Sequence, residues 1–365
     1  MSPTKFALVG GSSWRAEFFY RIAQALPERF TVLGATVRDE SKGEAIQSQW
    51  GFPTYRTLEQ LLEEHKPDLD FVVVSVPWAL CAEYIKQLAR LGIPVLSETP
   101  PAPDVAGLNE VWKIIKETKA KVQVAEQYQF QPLHAARIQV ANSGDLGKIS
   151  QAQVSVCHGY HGISLMRKLL NIHYENATIT AHTFTSPVVA GPDRSGPPKT
   201  ESITSSTQTI AILDFGDRLG VFDFVGDQYF SYIRSNRVLV RGERGEINND
   251  NVNYLESPDT PISYRLERLD AGLNGNLEGY YHKGIMGGGK WMYKNQFVGA
   301  RLSDDEIAVA ACMDAMRNYL ATGVEFYSVA EAAQDHYLNM MIEQAAGSGE
   351  KVKTSSQIWS TDFKE

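Results

Sequence analysis

The first 126 residues alternate short apolar runs with stretches of helical periodicity. Phe6-Ala7-Leu8-Val9 is continuous and apolar, as strands buried on both faces are. Phe18, Phe19, Ile22, Ala23 and Leu26 then recur at spacings that line one helix face. Phe30 to Val37 reads as a second strand, and Thr57-Leu58-Glu59-Gln60 as a capping box opening a short helix. Phe71-Val72-Val73-Val74 is another doubly buried strand. A helix from about Ala79 to Leu91 stops at Gly92, and Val95-Leu96 and Val122-Gln123-Val124 supply two more strands. This alternation predicts a doubly wound parallel sheet.

After about residue 145 the rhythm changes. Ile149 to Cys157 alternates like a strand with one wet face, and a short helix is expected from about Ser164 to Leu170. Strands are then expected at Ala177–Thr185, Thr207–Phe215, Gly220–Phe224, Phe230–Ser235 and Val238–Arg241, forming an open, largely antiparallel sheet. Pro187 to Ser206 and the glycine-rich Gly272 to Gly289 read as long loops. Asp304–Tyr319 and Val329–Ala346 close the chain as amphipathic helices. The fold class is therefore α/β: a doubly wound N-terminal domain over 1–127, then an α/β domain with a large open, mostly antiparallel sheet over 128–365.

Length and charge narrow the partners. A chain of 365 residues exceeds one ordinary core. Its net charge of −8, with no basic run interleaved with aromatics, disfavours nucleic acid and anionic membranes. No apolar run approaches the length of a membrane span. Cys81, Cys157 and Cys312 are too scattered for a disulfide framework or a metal clip, so a cytoplasmic address is expected.

Candidate chemistry begins at the first strand's end. Dinucleotide binding needs a tight glycine turn feeding a helix whose free N–H groups face a pyrophosphate. Gly10-Gly11-Ser12-Ser13-Trp14-Arg15 stands there, with Ser12 in the second glycine slot and Arg15 in the third. Serine still permits close approach, and an arginine is able to meet a phosphate directly. At the end of the second strand, Val37-Arg38-Asp39 replaces the usual lone acid. Arg38 suits an adenine face or a 2′-phosphate, and Asp39 a ribose, so NAD and NADP both remain open.

Val74-Ser75-Val76-Pro77-Trp78, Gly92-Ile93-Pro94-Val95-Leu96-Ser97-Glu98-Thr99-Pro100 and Ala125-Glu126-Gln127-Tyr128 follow. So do Gly144-Asp145-Leu146-Gly147-Lys148 and Arg241-Gly242-Glu243-Arg244-Gly245-Glu246. In this order and spacing the chain resembles the Gfo/Idh/MocA family of glucose-fructose oxidoreductase and inositol dehydrogenase. The resemblance implies a Rossmann domain, NAD or NADP, and chemistry on sugars, cyclitols or related polyols. It also implies a second domain whose sheet makes homodimer or homotetramer contacts, with the final helices packing back towards the Rossmann domain. By the same resemblance Ser75, Val76 and Pro77 lie under the cofactor, Glu98 is the glutamate of a Glu-Lys-Pro motif, and Gln127 lies near nicotinamide and substrate.

Thr99 departs from that motif, where the family has lysine. Alcohol oxidation needs a base at the hydroxyl, and threonine does not titrate near neutral pH. His161 falls at the family's histidine position and is the expected acid/base, with Tyr160 second and His158 beside the substrate. The loop before this histidine is short compared with the family's. Trp291 and the tyrosines at 280 and 281 are then candidates to cover the pocket. No metal is expected, because no Cys or carboxylate completes a set with the two histidines. Three functions are compatible with these residues: an NAD(P)-dependent oxidoreductase, a redox-neutral glycosidase or lyase that recycles its nucleotide, and a non-catalytic cofactor-binding regulator.

Overall fold

A computed structural model describes residues 2–274, 276 and 278–361. In chain order the first elements are β1 (Thr4–Val9), α1 (Ala16–Ala25), β2 (Phe30–Thr36), α2 (Glu40–Trp50), β3 (Thr54–Tyr55), α3 (Leu58–His65), β4 (Phe71–Val74), α4 (Trp78–Arg90), β5 (Val95–Ser97), α5 (Val105–Thr118) and β6 (Val122–Val124). There follow α6 (Pro132–Ala141), β7 (Ile149–Ser155), α7 (Gly159–Leu170), β8 (Thr178–Val189), β9 (Ile203–Asp214), β10 (Leu219–Val225), β11 (Arg237–Gly242), β12 (Gly245–Asn248), β13 (Asn251–Ser257) and β14 (Thr260–Arg265). The last are β15 (Glu267–Ala271), β16 (Tyr281–Gly287), β17 (Lys290–Lys294), α8 (Asp304–Thr322), α9 (Val329–Ser348) and β18 (Val352–Lys353). They divide into two compact units, one of residues 1–132, 270–283 and 295–333, the other of 133–269, 284–294 and 334–365.

The first unit is built on a six-stranded sheet of order β3-β2-β1-β4-β5-β6, parallel at every pair. The order reverses direction at β1, which creates the crevice where doubly wound sheets take ligands. Phe6 and Phe71 stack at 5.6 Å between ring centres and are fully buried, as are Leu8 and Val73. Each such side chain contributes about 1.5–3 kcal/mol by burial. Phe19, Ile22 and Ala23 put α1's apolar face on the sheet, as their spacing predicts. The Thr57–Gln60 capping box is present, and Gly92 adopts φ +69° beyond α4.

The second unit carries a nine-stranded sheet of order β14-β13-β12-β11-β7-β10-β9-β8-β18. Among its described pairs only β7–β10 is parallel. α7 packs on β7 and β10, and Arg167 is tied to Asp335 at 2.5 Å with both side chains buried.

Four expectations from the sequence change here. Phe230–Ser235 is not a strand: the Gly226–Tyr229 turn precedes it, and Ser231 Oγ accepts the amides of Ile233 and Arg234 at 3.1 Å. Gln228 meanwhile takes the Val225 amide and donates to Ser155 O and Ser235 O, so a side chain replaces a neighbouring strand. The Pro187–Ser206 loop shrinks to 190–202, because β8 and β9 pair out to Val189↔Ile203. Their threonines, Thr185 and Thr207 among them, are polar but β-branched, and shape outweighs polarity in the strand. Gly272–Gly289 contains β16, which turns into β17 through Gly288 and Gly289 at φ +55° and +76°. α7 also begins at Gly159 rather than near Ser164.

Two glycines test the packing. Gly51 has φ +79° in open space, whereas Gly10 has φ +88° and a Cβ there would overlap Ser75 O. Gly51→Ala is expected to cost about 1–2 kcal/mol and Gly10→Ala about 3 kcal/mol or more in urea unfolding. Equal costs would show that the approach at position 10 is not tight.

Candidate functional site

In the first unit β1 runs into the turn at Gly10 and on to α1. Gly10 N donates to Thr36 Oγ1 at 3.3 Å, Gly11 N to Thr36 O at 2.9 Å, and Ser13 N to Gly10 O at 3.1 Å. Ser13 Oγ accepts the Ala16 amide at 3.0 Å and lies 2.9 Å from Ser75 Oγ. The N–H groups of Ser12 and Arg15 have no partner among the described residues. The anion-binding set expected over residues 10 to 15 therefore centres on these two amides, because the others named here close the turn itself. A Cβ at Gly10 would also come within 2.8 Å of Val76 Cγ1, and one at Gly11 within 2.6 Å of the Tyr20 hydroxyl. Trp14 is half exposed and meets Phe18 edge-on at 5.6 Å.

The Arg15 side chain is not directed to a phosphate as the sequence suggested. Its Nε donates to Glu98 Oε1 at 3.0 Å and its Nη1 to Asp305 Oδ2 at 3.3 Å, while Nη2 is buried without a partner. Burial opposes the guanidinium charge, but Glu98 and Asp305 outweigh it and raise the pKa. Gln131 Nε2 adds a 3.3 Å bond to Asp305. Deeper still, burial pushes the Glu126 carboxyl up to about 8, against the Tyr128 amide and Arg15, which favour its ionised form. Sequence reasoning passed over Glu126 and Asp305, since nothing local marks the first as buried or the second as an arginine's partner.

Around the turn, Ser75 is buried, Pro77 caps the start of α4 and is exposed, and Thr99 is half-buried next to Glu98. Gln127 is buried and its Oε1 has no partner, a gap that a bound amide or hydroxyl donor would fill. Arg38 is exposed with no partner among the described residues. Asp39 Oδ1 caps α2 by accepting from Lys42 N at 3.0 Å and Ser41 Oγ at 2.7 Å. A glycine turn that admits no Cβ, two free amides and a partnerless Gln127 oxygen fit a dinucleotide at this edge of the sheet.

In the second unit, β7 leads to His158, the N-cap of α7, with Tyr160 and His161 in its first turn. The His158 ring stands 5.0 Å from that of His161 and 5.5 Å from Tyr160, and Tyr160 stands 4.5 Å from His161. Tyr160 and His161 are buried; His158 keeps an exposed edge. Tyr229 joins them from the turn after β10, its Oη 2.6 Å from His158 Nδ1. Sequence reasoning missed Tyr229 because it adjoined the misread strand. Trp291 is partly exposed, and its ring lies against Gly284 on its own hairpin, 2.9 Å from where a Cβ would be. Among the described residues no group of three His, Cys, Asp or Glu side chains is placed to hold a metal ion, and no helix is long and apolar enough to cross a membrane.

Glu126 gives a signed pH dependence. The folded chain keeps its proton up to about 8, while the unfolded chain releases it near 4.5. Its contribution to stability is therefore complete below the unfolded value and is lost as pH rises to the folded one, by at most about 1.4 kcal/mol per pH unit. Glu126→Gln should gain on wild type between pH 5 and pH 8 in urea unfolding. A pH-independent difference between the two would contradict the burial of an uncharged carboxyl.

Comparison with known proteins agrees with this geometry. Residues 4–126 match the family model described as oxidoreductase family, NAD-binding Rossmann fold. An uncharacterised protein of Saccharomyces cerevisiae is 26% identical over 148 residues, 40% of this chain and 42% of its own length. Inositol 2-dehydrogenase of Rhizobium meliloti is 28% identical over 112 residues, 31% of this chain and 33% of its own length. The chain thus aligns with less than half the length of these curated relatives. In fold, an oxidoreductase from Agrobacterium radiobacter, crystallised with NAD+, L-tartaric acid and magnesium, superimposes with a TM-score of 0.68 at 15% identity, over 96% of this chain and 98% of that one. From β1 to just beyond β6, the Rossmann unit thus matches the model of the Gfo/Idh/MocA oxidoreductase family.

Proposed function

We propose that this protein is an NAD(P)-dependent oxidoreductase that transfers hydride to or from a CH–OH carbon of a sugar, cyclitol or related polyol. The observation that carries the reading is the pair of unpartnered amides at Ser12 and Arg15, on a turn where Gly10 lets the backbone press against β4. These two N–H groups, at the positive end of α1, would hold a pyrophosphate. Ser75, Val76 and Pro77 floor the site, Gln127 offers its free Oε1, and Glu98 serves through Arg15. When bound, the nicotinamide supplies the hydride acceptor or donor.

The chain's own residues handle the proton. Thr99 has no titratable group, so it serves as a hydrogen-bonding neighbour. His161 is the acid/base, with Tyr160 packed against its ring and His158 on the substrate side. Thr99 also favours a second reading, a redox-neutral glycosidase or lyase. There a ring hydroxyl is oxidised, a group two carbons away is eliminated, water adds, and the hydride returns. The name of the inositol 2-dehydrogenase relative supports a polyol ring in either case.

Arg38 favours the 2′-phosphorylated nucleotide: it stands where the ribose acid is usual, and the neighbouring Asp39 serves as a helix cap. Three buried cysteines, none in a disulfide, suit a reducing cytosol. The exposed Phe184, Ile210 and Ile212 on β8 and β9 suit a second copy against the open sheet.

Absorbance at 340 nm, followed with D-glucose, D-xylose, myo-inositol and D-gluconate alongside release of sugar from glycosides, separates the readings. Reduced nucleotide in step with substrate supports the oxidoreductase; sugar release without it supports the second reading; silence in both removes the enzyme. His161→Ala should lower kcat by roughly 100-fold or more with nucleotide binding retained. Arg38→Ala should narrow the NADPH-over-NADH affinity ratio by about tenfold; an unchanged ratio would exclude Arg38 from the ribose site.

A further inference from the structure

The parallel pair in the nine-stranded sheet has a consequence for the histidine cluster. β7 and β10 run side by side in the same direction, so their C-terminal ends open onto one edge of the sheet. The chain leaving β7 reaches His158 within three residues, and the chain leaving β10 makes the Gly226–Tyr229 turn. Tyr229 is thereby set against His158 twice. Its Oη lies 3.0 Å from the His158 backbone N and 2.6 Å from His158 Nδ1. Phe224 backs the Tyr229 ring at 5.0 Å, and Tyr160 and His161 stand edge-on to His158.

The hydrogens follow from this geometry. A backbone N–H only donates, so Oη is the acceptor in the first contact. In the second, a phenol is the better donor and an imidazole nitrogen the better acceptor, so the hydroxyl hydrogen goes to Nδ1. A neutral imidazole that accepts at Nδ1 carries its own hydrogen at Nε2. Desolvation first, then the neighbouring His161 and Arg194, hold the His158 imidazolium below its ordinary pKa, which keeps the ring neutral. Nε2 makes no hydrogen bond among the described residues, and the ring keeps an exposed edge.

We propose that Tyr229 is a positioning residue that locks His158 as the neutral Nε2–H tautomer, so that His158 donates a hydrogen bond to a hydroxyl or carbonyl oxygen of the substrate and leaves proton acceptance to His161. This rests on the polyol oxidoreductase reading above and assigns the two histidines opposite tasks. Two bases at one centroid separation of 5.0 Å would oppose each other once either was charged. Fixing one as a donor removes the conflict. A neutral imidazole donor polarises a carbonyl without surrendering its proton.

Two measurements test it. In protein labelled with 15N-histidine, long-range proton–nitrogen spectra at pH 7 should show His158 with a protonated Nε2 and a bare Nδ1, the signals assigned by their loss in His158→Gln. In Tyr229→Phe both nitrogens should move towards averaged values. A protonated Nδ1 in the wild type, or a spectrum indifferent to Tyr229→Phe, overturns the lock. The second measurement uses steric mimicry, since a glutamine amide reaches the position of Nε2 and an asparagine amide that of Nδ1. With D-glucose, D-xylose, myo-inositol and D-gluconate as probes, His158→Asn should lose about tenfold more kcat/KM than His158→Gln, with NADP+ affinity changing little in either. Equal losses overturn the donor role and leave the oxidoreductase reading standing. Wild-type protein that turns over no probe overturns that reading, and the donor role with it.

Discussion

The backbone of the β1–α1 turn presses so closely on the end of β4 that position 10 has no room for a side chain. Gly10 reverses direction at φ +88°, and any Cβ would collide with the Ser75 carbonyl. Much of the first unit's functional geometry follows from that approach. It brings Ser13 Oγ to Ser75 Oγ, starts α1 at Ala16, and leaves the amides of Ser12 and Arg15 unpaired at the helix's positive end. A larger residue would push the turn outward and dissolve the anion site together with the packing.

Beneath the turn a largely buried arginine, its side chain 11% exposed, occupies a slot usually filled by a small residue. An unpaired guanidinium there would be costly to desolvate, and Glu98 and Asp305 supply the compensation. Glu98 is thereby committed to structure as much as to any ligand. The adjacent Thr99 brings no charge of its own, so proton chemistry has to come from elsewhere in the chain. In the second unit the one described parallel strand pair performs a comparable service. It delivers His158 and Tyr229 to a common edge, where a hydroxyl settles which imidazole nitrogen holds the hydrogen.

The doubly wound domain was legible because its signals are local. Phe71 to Val74 is uniformly apolar, α1 shows one apolar face, and Thr57 and Gly92 mark helix ends as their chemistry requires. The second sheet was harder, since its long hairpin is written in threonine and serine, whose polarity suggests loop while their branching or cross-strand pairing supports strand. Tyr229 was invisible for a related reason: Gln228 and Ser231 end the strand through side-chain hydrogen bonds that hydropathy does not register. The engagement of Arg15 with Asp305 spans 290 positions, and no spacing rule reaches that far.

The central claim is that the turn itself binds a pyrophosphate, and ADP-ribose isolates that contact because it lacks the nicotinamide. Amide NMR of 15N-labelled protein titrated with ADP-ribose reads Ser12 and Arg15 directly. Large saturable shifts at these two amides, with the Gly51 amide at the far end of α2 unmoved, are the predicted result. Saturating ADP-ribose that leaves both amides where they were would contradict the account.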